Sequence, residues 1–124
     1  MTAMLLAWMW LCCYVYGVHY PDALATALVE ARPVIRGECV NVIRVGPIGH
    51  GKYYGPMGIN RCFSGADDPK ENIRLGVRAL GRYPSLEKSL RKYNATFNYA
   101  YYREICKWSR VIESGWTPQF IQVE

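Results

Sequence analysis

Ile35-Arg36-Gly37-Glu38-Cys39-Val40-Asn41-Val42-Ile43-Arg44-Val45-Gly46-Pro47-Ile48-Gly49-His50-Gly51-Lys52-Tyr53-Tyr54-Gly55-Pro56-Met57-Gly58-Ile59-Asn60 is the stretch on which the reading of this chain depends. It begins with an isolated carboxylate, Glu38, and runs through Gly46, Gly49, Gly51, Gly55 and Gly58. Glycine at this density permits left-handed backbone and close approach, so the segment reads as a shaped loop rather than the interior of an element. A shaped loop facing a lone carboxylate is one way to build a substrate cleft.

Helical signals lie on both sides of the loop. Upstream, Pro21 and Asp22 start a helix in which Leu24, Ala27, Leu28 and Ala31 recur at helical spacing, and Pro33 stops it near Arg32. A second short helical piece, residues 33–38, is expected to follow and to carry Glu38 at its end, with Pro33 in its first turn. Downstream, Asp68-Pro69-Lys70-Glu71 is a helix start, with Asp68 as cap and Pro69 in the first position. Ser85 caps another helix with the stripe Leu86, Leu90 and Tyr93. Residues 99–112 form the last one, with Tyr102, Ile105, Cys106, Ser109 and Ile112 in phase. No alternating strand run, repeat or low-complexity segment stands out. The expected fold is mainly α, in one domain.

At 124 residues the chain can bury one core and not two. Residues 1–21 carry no formally charged side chain, and residues 3–18 are apolar. Residues 1–19 are therefore expected to be a leader, either a signal peptide or an anchor, although the basic start and a clean cleavage site are missing. An ordinary buried first helix is the alternative. Residues 20–114 would form the domain and residues 115–124 a C-terminal tail, and an exported protein of the periplasm or cell envelope follows. Cys12 and Cys13 fall in the leader, whereas Cys39, Cys62 and Cys106 fall in the domain and allow one disulfide whose pairing stays open. No cysteine spacing suggests zinc, and no metal or cofactor is called for. The net charge of +5 suggests an anionic partner. Because no basic run is longer than two, a nucleic-acid surface is not expected.

Three blocks, in order, resemble the catalytic domain of soluble lytic transglycosylases, the goose-type-lysozyme-like enzymes that cleave peptidoglycan. Ile35-Arg36-Gly37-Glu38-Cys39 is similar to the family's Ile-x-x-Glu-Ser, and Tyr54-Gly55-Pro56-Met57-Gly58-Ile59-Asn60 to its Gly-Leu-Met-Gln-Ile block. Asp68-Pro69-Lys70-Glu71-Asn72-Ile73 with Gly76, then Lys92-Tyr93-Asn94-Ala95-Thr96 and Tyr101-Tyr102, resembles the succession Asp-Pro-x-x-Asn-Ile, Gly, Ala-Tyr-Asn-Ala-Gly and Tyr. Cys39, Gly58 and Thr96 stand where serine, glutamine and glycine are usual. The missing glutamine removes a sugar hydrogen bond.

The resemblance implies a lysozyme-like domain that cuts the MurNAc-GlcNAc β-1,4 bond. One glutamate acts as general acid and then takes the proton from the C6 hydroxyl of the muramic acid, leaving a 1,6-anhydro product. Such a glutamate needs an apolar pocket that keeps it protonated near neutral pH. Glu38 is preferred for this role; Glu30 is the rival, eight residues further from the Gly-Pro-Met block. The expected sugar contacts are Tyr54, Met57, Gly58, Asn60, Tyr93, Asn94 and Tyr101, with Ile59 packing inward. The expected partners are peptidoglycan glycan strands and an envelope-spanning secretion, conjugation or phage machine, with membrane contact only through an uncleaved leader. Two alternatives remain open: a non-catalytic peptidoglycan-binding module of the same fold, and a hydrolytic muramidase.

Overall fold

The computed structural model describes residues 1–122 of the chain. Its helices are α1 (Thr2–Tyr16), α2 (Tyr20–Ala31), α3 (Pro69–Leu80), α4 (Leu86–Tyr93) and α5 (Tyr99–Glu113). The strands are β1 (Val34–Ile35), β2 (Glu38–Cys39), β3 (Ile43–Ile48), β4 (Tyr53–Gly55), β5 (Ile59–Asn60) and β6 (Phe120–Gln122). The domain is thus mixed, with helices in the majority and a small sheet, rather than mainly α.

α2 is the centre of the core. Ala23, Leu24, Ala25, Ala27, Leu28 and Ala31 are all buried, and its alanines let neighbouring helices come close. It packs most extensively on α5. Two polar contacts fix that pairing: Ser109 Oγ donates to Asp22 Oδ1 at 2.7 Å, and Arg32 Nη1 to Glu104 Oε1 at 3.0 Å. The helix ends where Pro33 predicts, with Arg32 already extended at ψ 135°.

The apolar N-terminal segment forms α1, and α1 belongs to this core. Leu5, Met9, Cys12 and Cys13 are buried, chiefly against α3, and Trp8 Nε1 donates to the Lys70 carbonyl at 2.8 Å. Arg74 of α3 donates to the Tyr16 hydroxyl at 2.9 Å. Among the described residues no helix is long and apolar enough to cross a membrane. At about 1.5 Å per residue, this 15-residue helix falls short of a hydrocarbon core of roughly 30 Å.

The expected short helix over residues 33–38 is instead a hairpin. β1 and β2 pair antiparallel with Ile35 opposite Glu38, and the turn between them places Arg36 at φ 53° and Gly37 at φ 80°. Positive φ at both central residues is the two-residue turn that matches strand twist, and Gly37 takes the second position without strain. β-Branched Val34 and Ile35 favour the extended form. Glu38 is therefore an exposed strand residue and ends no helix.

The glycine-rich loop is partly sheet. Ile43 and Val45 alternate inward on β3, and the strands run in the order β5-β4-β3-β6. β6 pairs parallel with β3, Ile43 opposite Phe120, so residues 120–122 of the expected tail form an edge strand with Phe120 buried. Val123 and Glu124 lie outside the described residues. The helix starts stand as read from the sequence: Asp68 Oδ2 accepts from Glu71 N at 3.2 Å and Ser85 Oγ from Lys88 N at 3.3 Å. All five cysteines are free thiols, Cys39 and Cys62 exposed and Cys12 and Cys13 buried.

Candidate functional site

A cleft of about 840 Å³ opens between the C-terminal end of α2, the β3–β4 hairpin and the turn after α4. Glu30, the penultimate residue of α2, lines it together with Gly58, Tyr53, Tyr93, Asn94 and Thr96. Burial pushes the Glu30 carboxyl up to about 7, and the facing Tyr101 hydroxyl works in the opposite direction. No cation among the described residues pairs with it. A carboxyl in this setting is half protonated near neutral pH, as proton transfer to a leaving group requires.

The surroundings of Glu30 explain its burial. Gly58 sits directly over it at φ 66°; a Cβ there would lie 3.3 Å from Glu30 Cβ and 3.7 Å from Oε2. Any larger residue at position 58 would press on the carboxyl and its access, so glycine keeps the acid reachable from the cleft. On the other side, Tyr93 donates its hydroxyl to the Met57 carbonyl and is held far above the usual phenol range, first by burial and then by Glu30. The Tyr101 hydroxyl is buried, faces Glu30 and Asn94, and makes no full hydrogen bond.

The loop bearing Gly58 is held by Asn72. This fully buried side chain on α3 donates to the carbonyls of Tyr54 at 2.8 Å and Ala66 at 2.7 Å, and accepts from Met57 N at 2.7 Å. Three well-made bonds to one buried amide satisfy its own donors and acceptor and tie strand β4 and the loop after it to α3. After α4, Asn94 Oδ1 accepts from both Thr96 N and its hydroxyl at 2.9 and 2.8 Å, which fixes the turn forming the opposite wall.

No protein-family model matches this chain, and neither a curated protein nor a solved structure matches it either. The site must be read from its own residues.

Of the residues expected from sequence, the cleft brings together Glu30, Gly58, Tyr93 and Asn94. Tyr101 stands behind them as a buried neighbour of Glu30. Glu38 is not in the cleft lining; its carboxylate is exposed on the hairpin. Met57 is fully buried, with its side chain against Gly76 of α3, so only its backbone serves the site. Asn60 turns its Oδ1 to Cys62 N at 3.0 Å, and Tyr54 lies under the Arg61 guanidinium; neither lines the cleft. Ile59 packs on the core as expected. Tyr53 takes the wall position given to Tyr54, since neighbours on a strand face opposite sides.

Sequence pattern alone does not mark Asn72, Arg32 or Arg44 as site residues. The signal for Asn72 is present, a polar residue on the inward stripe of a capped helix beside Ile73 and Gly76. Among the described residues no three His, Cys, Asp or Glu side chains converge as metal ligands.

Proposed function

We propose that the protein is a peptidoglycan lytic transglycosylase with Glu30 as its acid, built on a lysozyme-like arrangement. The observation that carries this reading is one desolvated carboxyl, raised to about 7, on the wall of a cleft large enough for a glycan. The family resembled needs a single glutamate, and among the described residues lining the cleft Glu30 is the only carboxylate. In the Glu30 assignment, the resembled Gly-Pro-Met-Gly block supplies Gly58 over the acid, and the Tyr-Asn pair supplies Tyr93 and Asn94 beside it.

The steps follow from that placement. Protonated Glu30 gives its proton to the glycosidic oxygen while the bond to C1 of the muramic acid breaks. The resulting carboxylate takes the proton of the C6 hydroxyl as that oxygen closes onto C1, and the acid is restored without consuming water. Tyr93, Asn94 and Gly58 would hold the sugar ring. General acid help of this kind is worth about 10²–10⁴ in rate. A two-carboxylate mechanism would need a second acid across the bond, which the lining does not supply. The role places the enzyme at the cell envelope, where a secretion, conjugation or phage machine needs local wall opening.

The test is digestion of purified peptidoglycan by the full chain, with the released muropeptides weighed. Products carrying 1,6-anhydro ends support the proposal. Products one water heavier make the protein a hydrolytic muramidase, and wall binding with no release makes it a non-catalytic module.

A further inference from the structure

We propose that Arg44 forms a carboxylate-binding subsite in the cleft wall, so that the cleft takes carboxylate-bearing glycan in preference to uncharged N-acetylglucosamine polymer. This rests on the proposed function for the identity of the glycan, but the anion site itself rests on separate observations. Ile43 and Val45 point into the core, so Arg44 between them projects from the opposite face of β3, where it lines the cleft. β3 is flanked by β4 and β6, which holds its backbone in place on both sides.

The guanidinium there has no acidic partner among the described residues. Among the described residues no carboxylate lies within ion-pair distance of Arg44, whereas its neighbour Arg32 is matched by Glu104 at 3.0 Å. Arg44 Nε is buried and makes no hydrogen bond to any described residue. Nη1 reaches only the Pro47 carbonyl, at a long 3.4 Å. A guanidinium stays charged at any ordinary pH, and a desolvated donor without an acceptor is costly to keep. Glu30, the one acid among the described residues lining the cleft, makes no ion pair with Arg44. Among the described residues the cleft therefore carries a cation without a paired acid, and its planar fork suits a carboxylate. Wall glycan offers that group from two sources, the free carboxyls of the peptide stem or, where the stem has been removed and its amide bond is gone, the lactyl carboxyl of muramic acid.

The experiment measures binding by calorimetry to full-length Glu30→Gln, which removes turnover, and to the same protein with Arg44→Gln or Arg44→Lys added. The ligands are glycan strands with peptide stems, strands stripped to the lactyl carboxyl, and a chitin oligomer of equal length. Arg44→Gln should weaken the carboxylate-bearing strands tenfold or more and leave chitin within twofold, with Arg44→Lys in between. Loss only with the stripped strands assigns the lactyl group, loss only with peptide-bearing strands assigns the stem, and loss with both shows that the subsite takes either carboxylate. Equal loss on chitin, or no loss on any ligand, overturns the proposal. If no glycan binds at all, the proposed function falls. A citrate-induced rise in melting temperature that Arg44→Gln abolishes then keeps the anion site, and its absence ends that too.

Discussion

Glu30 has a thermodynamic signature independent of any substrate. Its carboxyl sits near 7 when folded against 4.5 for the ordinary group, so the folded state resists ionising it. Below the lower value both folded and unfolded chains hold the proton. Between the two the unfolded chain releases it first, so stability falls as pH rises across that window and stays lowered above it. Glu30→Gln is therefore expected to melt like wild type near pH 4 and to be more stable near pH 8, by roughly 3 kcal/mol. Urea unfolding at the two pH values checks this, and equal stability at both would mean Glu30 is not desolvated. A second residue-scale expectation concerns Asn72. Asn72→Ala removes three hydrogen bonds to backbone, at about 1–3 kcal/mol for each group left buried without a partner. It should lower the melting temperature and also weaken glycan binding, because the loop over Glu30 loses its anchor. A change in stability with binding intact would limit Asn72 to the fold.

The elements divide into those legible in the sequence and those hidden from it. α2, α3, α4 and α5 announce themselves through helical spacing, and Asp68 and Ser85 cap where they stand in the sequence. The hairpin at residues 34–39 was hidden because two-residue strands carry no period, and Pro33 in a first turn imitates a helix start. That error moved Glu38 to a helix end it does not occupy, whereas Glu30, on the more regular helix, holds the buried position. β3 was masked by glycines, although Ile43-Arg44-Val45 alternates, and β6 by its place in an apparent tail. Both strands depend on a partner far away in sequence, which local pattern does not show. If β6 is structural, Phe120→Ala should destabilise by about 3–5 kcal/mol, the range for a large buried aromatic. A change below 1 kcal/mol in chemical unfolding would return these residues to a tail.

At the scale of the whole molecule, the first helix decides what the domain is. Residues expected to be a leader bury Leu5, Met9, Cys12 and Cys13, at about 1.5–3 kcal/mol for each large apolar side chain. Summed, that is comparable with the whole stability of a typical domain, about 5–15 kcal/mol. A chain starting at residue 19 is expected to lose its cooperative thermal transition, followed by circular dichroism. If it melts sharply instead, α1 is dispensable to the core and the leader reading is supported. The same scale joins the site's parts: Glu30 comes from α2, Gly58 from the loop that Asn72 of α3 ties down, and Tyr93 and Asn94 from the end of α4.

The most direct test compares wild type, Glu30→Gln and Glu38→Gln in release of muropeptides from purified peptidoglycan. The expected result is anhydro-muropeptides from wild type and Glu38→Gln within twofold of each other, and a loss of about 10²–10⁴ in rate for Glu30→Gln. Full activity in Glu30→Gln, or release by none of the three, would contradict the assignment of Glu30 as the acid of a wall-cleaving enzyme.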